Sequence, residues 1–484
     1  MNNKIKFNRS LRFFLYILSD VTWVLIVFTL ATYLRFLLGE IGFFPEFKRN
    51  INYFINLFPQ TTLIYILINL YEGIYFSRKL FWEEAKDIVK IVTMWIILLF
   101  AYLSITKEIE NFSRILIILI WVLSLISFPL FHYFTKMIFL KMKIFQVPVI
   151  IIGTDELSLN TAKGLIRQKY LGYNIIGFFS SNLDPHNNLL KIDNCTYPIL
   201  GSFENLENFL NKNEIWTGII AIESIESKEL THIINLVQKY VRRVIVIPNL
   251  FGVSLTNTEV LYLFEEGLFL LKITNKLKSS TNRFIKRIFD ITISMILLPL
   301  LLPIILIIGV LIKLDSPGPI FYIHHRIGKN GKKIPVLKFR SMFINSQEIL
   351  EKLINENPEI RKEWEENFKL KKDPRITKIG KFLRRTSLDE LPQIFNVLIG
   401  QMSLVGPRPV LQEELDRYYG EYAEYYYMVP PGITGLWQVS GRSNTSYEFR
   451  VWIDTWYVLN WSVWMDIVIL FKTIKSVIKM DGAC

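Results

Sequence analysis

Cysteine is nearly missing: 484 residues contain two, Cys195 and Cys484. Two thiols this far apart form neither a disulfide framework nor a metal-ligand cluster, so nothing calls for an oxidising compartment and the soluble parts are expected to be cytoplasmic. An intact glycine fingerprint is missing too. After the β-branched run "VPVIIIG" the chain reads "GTDELS" where a dinucleotide fold carries G-x-G-x-x-G, with Asp155 and Ser158 in place of the second and third glycines. A carboxylate there repels a pyrophosphate and can itself take the positive helix N-terminus. Acidic residues are in deficit, 43 against 56 Lys and Arg, for a net charge of +13. That surplus suits nucleic acid, an anionic membrane face or phosphorylated substrates. The hydrophobic share of 51%, gathered in long runs, favours the last two and argues against nucleic acid. A signal-peptide cleavage site is also lacking. The basic start "MNNKIKFNRSLR" leads into an apolar run too long for a signal peptide, which reads as a retained anchor.

Long apolar runs are what the chain has in quantity. Four of them, near 11–34, 51–71, 88–106 and 113–140, each approach the ~20 residues a bilayer core requires. They predict a membrane protein with a four-helix transmembrane bundle over residues 1–143. Lys4, Lys6, Arg9 and Arg12 precede the first run, Arg78, Lys79, Lys86 and Lys90 surround the second connection, and Lys136, Lys141 and Lys143 close the fourth. This bias places the amino terminus and the segment after the fourth run on the cytoplasmic side. Asp20, inside the first run, reads as paired within the bundle or snorkelling rather than functional.

From 144 to 275 short β-branched runs alternate with amphipathic stretches such as 156–169 and 228–240. The alternation predicts a small Rossmann-like α/β domain with a parallel sheet. With its fingerprint degraded, it is expected to be a structural, regulatory or dimerising module rather than a nucleotide site. A further uncharged run lies between Asp290 and Lys313, long enough to cross a bilayer. A fifth crossing would move everything after it to the other side, yet "KRIFD" before it and "IKLD" after it both carry cations. Pro299 and Pro303 share one helix face, and each removes a backbone donor. A bent helix entering and leaving on one face therefore competes with a kinked ordinary span.

Beyond Lys313 come "LKFRSM" with Lys338 and Arg340, "RRTSLDELPQ" with Arg384, Asp389 and Glu390, "GPRP" with Arg408, and "PPGITGLWQVSGRS" with Arg442. "SLDE" fits a capping box from Ser387 to Glu390, opening a helix whose apolar residues begin at Leu391. Capping accounts for the acids. It leaves unexplained the arginines and the glycine-bearing loops, which can bring cations and backbone N–H groups to phosphate. His324 and His325 in "FYIHHR" lack companion ligands and read as strand or loop residues. Trp452, Trp456, Trp461 and Trp464 predict an amphipathic helix at the lipid interface.

These motifs, with "SPGPIFY" at 316–322, resemble those of the bacterial sugar transferases, polyprenyl-phosphate phosphoglycosyl transferases of the monotopic type, over about residues 283–484. The whole layout is similar to the long form, the undecaprenyl-phosphate galactose or glucose phosphotransferases. The resemblance implies an α-rich transferase domain whose 286–313 helix is re-entrant, on the cytoplasmic face of the bacterial inner membrane. It implies transfer of a sugar-1-phosphate from a nucleoside diphosphate sugar, usually a UDP-sugar, to undecaprenyl phosphate. UMP leaves, and the product opens exopolysaccharide, capsule or O-antigen synthesis. In the family the dyad aspartate is the nucleophile that carries the phosphosugar, and this role falls on Asp389. Glu390, with Asp389, is expected to hold Mg²⁺. Arg384, Arg408 and Arg442 are expected at phosphate, with Lys338 and Arg340 as further candidates, and a homodimer follows at family level only. The chemistry requires such a set, because a carboxylate approaching a diphosphate meets repulsion that cations must neutralise. Two other classes compete. A membrane-anchored nucleotide-sugar dehydratase needs an intact glycine fingerprint and a Tyr-x-x-x-Lys pair, and Tyr75 with Lys79 lies in a membrane loop. A non-enzymatic polysaccharide-assembly scaffold leaves the cations near Asp389 unexplained.

Overall fold

Four helices lead the chain: α1 (Asn2–Glu40), α2 (Ile51–Tyr71), α3 (Phe81–Ile105) and α4 (Arg114–Lys141). They belong to a computed structural model that describes residues 2–44, 51–107, 113–181, 189–193, 195–213, 215–248, 258–263, 268–357, 360–361, 370, 373–441 and 445–479. The chain divides into two compact units, Met1–Phe251 and Gly252–Cys484.

In the first unit α1 from Phe13, α3 and α4 are each long and apolar enough to cross a membrane, and α2 is apolar from Leu57 to Tyr71. Their shared core is aromatic, with Phe28, Tyr65, Trp95 and Phe128 buried together. The Trp95 indole donates to the Thr61 carbonyl at 2.8 Å. Asp20 pairs inside the bundle as expected: it accepts from the Tyr75 hydroxyl at 2.7 Å and lies 3.0 Å from His132 Nε2.

A six-stranded sheet follows, built from β1 (Val147–Ile152), β2 (Tyr173–Ser180), β3 (Leu189–Ile192), β4 (Cys195–Ser202), β5 (Thr217–Ile220) and β6 (Arg243–Val246) in the order β3-β4-β2-β1-β5-β6. All neighbours are parallel except the edge strand β3, which is antiparallel to β4. Helices α5 (Glu156–Arg167), α6 (Leu206–Lys212) and α7 (Ser227–Tyr240) connect the strands. Strand order reverses between β1 and β5, the crevice where such sheets bind ligands. Here Asp155 stands at it. Asp155 Oδ1 accepts from the Ser158 N–H at 3.0 Å, capping α5, and Oδ2 accepts from the Glu223 N–H beyond β5. The carboxylate thus takes the place a phosphate would hold. Side-chain hydrogen bonds bind this domain to the bundle. Arg78 donates to the carbonyls of Leu171 at 2.7 Å and Phe145 at 2.8 Å, and Glu84, paired with buried Lys136, accepts from the Tyr170 hydroxyl at 3.0 Å.

The second unit opens with the antiparallel hairpin β7 (Thr258–Leu263) and β8 (Leu268–Ile273), so this segment sits with the C-terminal unit rather than with the sheet. Helix α8 (Ser280–Asp315) continues without a break through Pro299 and Pro303. Near its start the Lys286 ammonium reaches the Val405 carbonyl at 3.0 Å and Asp466 Oδ2 at 2.7 Å. Asp290 accepts from Ser403 Oγ at 2.8 Å. At its other end Asp315 Oδ2 accepts from the Ile379 N–H at 3.0 Å. Between these anchors Met295, Ile296, Leu300, Leu306 and Ile307 are exposed apolar residues.

Next come the antiparallel pair β9 (Phe321–Ile327) and β10 (Lys333–Phe339) and helices α9 (Ser346–Glu356), α10 (Lys378–Thr386) and α11 (Gln393–Ile399). A short parallel pair, β11 (Ser403–Val405) and β12 (Gly432–Thr434), precedes α12 (Tyr447–Asn460) and α13 (Val463–Lys479). The tryptophans do not share one lipid-facing surface, contrary to expectation. Trp452 is 51% exposed and Trp461 only 2%, because the chain breaks between α12 and α13 and turns Trp461 into the core. There its indole donates to Asp466 at 3.0 Å.

Candidate active site

The capping box expected at "SLDE" does not form. Ser387 ends α10 in the left-handed region, φ 58° and ψ 20°, with its N–H bonded to the carbonyls of Leu383 and Arg384. Leu388–Glu390 then make a single 3₁₀ turn before Pro392 leads into α11. A non-glycine residue with positive φ is uncommon and is held in place by its surroundings. Its effect is to fold the chain back between two helices, so the dyad stands on a turn rather than in a helix. There the two carboxylates have unequal surroundings.

Glu390 is held. Its Oε1 accepts from Lys338 Nζ at 2.8 Å and from Arg408 Nη2 at 3.2 Å. Burial works against its charge, but Arg408 and Lys338 draw its carboxyl down to about 2. Asp389 makes no hydrogen bond or ion pair among the described residues, although Lys338, Arg384 and Arg408 all face it. Burial first, and then the Glu390 charge, raise its carboxyl above the ordinary aspartate value, against the pull of those three cations. Two adjacent acids with pKa values pushed apart are suited to different tasks.

Each cation is positioned by its own element. Lys338 extends from β10. Arg384, in the last turn of α10, is anchored by its Nε donating to Ser341 Oγ at 2.9 Å. Arg408 follows β11, where the "VGPRP" and "PPGITG" segments lie backbone to backbone. The Gly406 N–H reaches the Thr434 carbonyl at 2.9 Å, and the Gly432 N–H reaches the Pro407 carbonyl at 2.8 Å. A Cβ on Gly432 would sit 2.1 Å from the Gly406 nitrogen. Gly432→Ala must therefore force the two segments apart and shift Arg408. We expect transferase activity to fall at least tenfold and stability to drop by about 1–3 kcal/mol, read from turnover and a melting curve.

Arg340 is not part of this group. Its Nη1 and Nη2 donate to the carbonyls of Pro317 and Ser316, the latter at 2.7 Å, so it braces the loop that leaves α8. Arg442 lies outside the described residues. Pro299 and Pro303 lie within α8, away in sequence from the dyad. Sequence reasoning missed Arg326 and Gln393, which line one recess with Val336, Lys338, Glu390 and Arg408. The period of a strand carries the signal: in "FYIHHRI", Tyr322, His324 and Arg326 alternate onto one face, opposite Lys338, Val336 and Ile334 of β10. His324 lies against Arg326, with Nδ1 3.5 Å from Nη2, and burial, then Arg326 and Lys338, lower its imidazole to about 4. It is neutral at pH 7.

Residues 281–480 match the family described as bacterial sugar transferase, and residues 73–248 match that described as CoA-binding domain. The undecaprenyl-phosphate galactose phosphotransferase of Salmonella typhimurium is 41% identical over 412 residues, 84% of each chain. The chain belongs to the bacterial sugar transferase family. The transferase is also 34% identical over 316 residues to the UDP-glucose:undecaprenyl-phosphate glucose-1-phosphate transferase of Escherichia coli, covering 63% of this chain and 62% of that one. A shorter relative, the exopolysaccharide production protein ExoY of Sinorhizobium fredii, is 48% identical over 198 residues, 41% of this chain and 87% of its own. Nearly all of that protein therefore corresponds to a stretch the size of the transferase's 281–480 segment, which carries Lys338, Arg384, Asp389, Glu390 and Arg408.

Proposed function

We propose that this transferase moves a sugar-1-phosphate from a UDP-hexose to undecaprenyl phosphate, releasing UMP, through a phosphosugar held covalently on Asp389. The observation that carries the reading is the inequality of the dyad. Glu390 is ion-paired twice, while Asp389 is unbonded and faced by three cations. An Asp389 carboxylate oxygen attacks the sugar-bearing phosphorus of the donor. As the O–P bond forms, the bond to the bridging oxygen breaks, and its electron pair leaves with UMP. A phosphate oxygen of the polyprenyl acceptor then attacks the same phosphorus, and Asp389 departs as carboxylate. Both substrates use one site in turn, which implies ping-pong kinetics. Arg384, Arg408 and Arg442 serve the phosphates.

Mg²⁺ fits the donor set. It is usually bound by one or two carboxylates, with substrate phosphates and water completing its shell. Glu390 with Asp389 would supply those carboxylates. When bound, the ion would neutralise diphosphate charge.

The reaction joins a soluble donor to a lipid, which needs the catalytic unit at a membrane surface, here the cytoplasmic face of the inner membrane. The anchoring of α8 supports a re-entrant helix. Lys286 near its start and Asp315 at its end both bond to other elements of the C-terminal unit, as a helix that leaves and re-enters on one face requires. Cysteines placed near 285 and 330 should label from the same face in spheroplasts and inverted vesicles, and labelling from opposite faces would refute re-entry.

The chemistry is tested by radiolabelled transfer to undecaprenyl phosphate. Relatives at 40% and 41% identity are named for galactose and one at 34% for glucose, so UDP-galactose and UDP-glucose head the donor panel. Failure with every UDP-hexose overturns the donor assignment.

A further inference from the structure

We infer that Arg326 binds the leaving-group phosphate of the nucleoside diphosphate donor, the one that departs with the nucleoside; the inference rests on the reading above. Arg326 shares its recess with Lys338, Glu390 and Arg408, and Asp389 is not among the residues that line it. The charges that weigh most on Asp389 are those of Glu390, Lys338, Arg384 and Arg408, and those that weigh most on Arg326 are Glu414, Arg408 and Arg450. Arg408 is common to both neighbourhoods, and the proposed placement puts Arg326 one step beyond it from the attacked phosphorus. A diphosphate has a second phosphate at that step.

The approach of Arg326 to Arg408 is built into the backbone. At the end of β9 the Ile327 N–H donates to the Val410 carbonyl at 2.9 Å, two residues past Arg408. The Tyr426 hydroxyl clamps this joint, donating to the Ile327 carbonyl at 2.6 Å and accepting from the Val410 N–H at 3.3 Å. Arg326 itself is braced from behind, with Nη1 donating to Glu414 Oε1 at 3.0 Å. Glu414 is in turn fixed by the Tyr447 hydroxyl at 2.6 Å, the Leu411 N–H at 3.0 Å and Arg450 Nη1 at 3.5 Å. Burial works against its charge, yet these donors hold its carboxyl below the usual glutamate value, so the brace stays anionic.

The charge count in the recess favours an anion there. Three cations, Arg326, Lys338 and Arg408, line it with one carboxylate, Glu390. When the bridging P–O bond breaks, the departing phosphate gains one negative charge, and Arg326 with Arg408 forms a preorganised clamp where that charge appears. Interactions that strengthen as charge develops accelerate the step itself, and removing one such donor typically lowers the rate by about 10²–10³-fold.

The test uses the full-length enzyme in nanodiscs, with UMP and the UDP-hexose that the wild type accepts as probes. Arg326→Met should slow single-turnover formation of the Asp389 adduct by about 10²–10³-fold and weaken UMP inhibition at least tenfold. Attack of undecaprenyl phosphate on a preformed adduct should change much less. Arg326→Lys should recover part of both losses, and Glu414→Gln, which leaves the guanidinium in place but unbraced, should fall between. A melting temperature within a few degrees of wild type shows that the fold is intact; if Arg326→Met fails that check, Arg326→Lys supplies the same readouts. Unchanged adduct formation and UMP inhibition would overturn the inference, and so would a defect confined to the lipid half-reaction, which would assign Arg326 to the acceptor phosphate. Absence of any adduct in the wild type would instead sink the reading on which the inference rests.

Discussion

Asp389→Asn should abolish both the covalent phosphosugar adduct and transfer to undecaprenyl phosphate, with a loss on the order of 10⁴-fold or more, as for other enzymes stripped of a central catalytic group. An amide oxygen has no full negative charge to offer phosphorus, so neither half-reaction can start. The substitution is nearly isosteric, and among the described residues the Asp389 carboxylate makes no hydrogen bond that the fold would lose. Its charge also stands beside that of Glu390, so removing it relieves repulsion. The melting temperature should therefore be unchanged or slightly higher. Glu390→Gln gives the contrast, because it weakens the contacts to Lys338 and Arg408 and should lower the melting temperature as well as activity. Mass spectrometry of the protein after brief exposure to donor, together with a melting curve, separates the two. An adduct in Asp389→Asn would remove Asp389 from the role of nucleophile.

Lys286→Met should produce the largest loss of stability. The ammonium lies 2.7 Å from Asp466, and the two side chains are 5% and 1% exposed. It also reaches the Val405 carbonyl at 3.0 Å and the Tyr457 hydroxyl at 3.2 Å. Methionine fills much of the volume but leaves Asp466 as a buried carboxylate answered only by the Tyr457 hydroxyl and the Trp461 indole. Breaking a buried pair from one side costs about 3–5 kcal/mol, which for a unit of this size lowers the melting temperature by on the order of 10 °C. Lys286→Met combined with Asp466→Asn should recover part of the loss, since position 466 then carries no unpaired charge. Activity should fall with stability, because Val405 ends the strand that leads to Arg408. A single mutant melting like wild type would show that the pair carries no such role.

Much of the architecture was legible because its signals are local. Apolar runs at 11–34, 88–106 and 113–140 locate helices that the structure places at Asn2–Glu40, Phe81–Ile105 and Arg114–Lys141. Alternating β-branched runs located the sheet. The replacement of fingerprint glycines by Asp155 and Ser158 foretold a carboxylate at the helix N-terminus, and the two residues do bond there. Local signals also misled. Ser387 to Glu390 has the letters of a capping box, but the preceding helix ends on Ser387 in a left-handed conformation, a choice made by packing rather than by propensity. Arg340, two residues from Lys338 in a strand, was grouped with it, yet one points to Glu390 and the other to the loop after α8.

By itself the sequence determined the kinds of element, their order, the family motifs and the chemistry available in them, since periodicity, charge and turn residues act over a few positions. Only the tertiary structure decided that Glu390 is bound while Asp389 is unbonded, that Arg326 joins Arg408 across the end of a strand, and that Lys286 is a buried partner of Asp466 rather than a surface cation. The physical reason is that desolvation and charge pairing depend on which distant segments meet. Lys286 and Asp466 lie 180 positions apart, and no local pattern in either segment encodes the other.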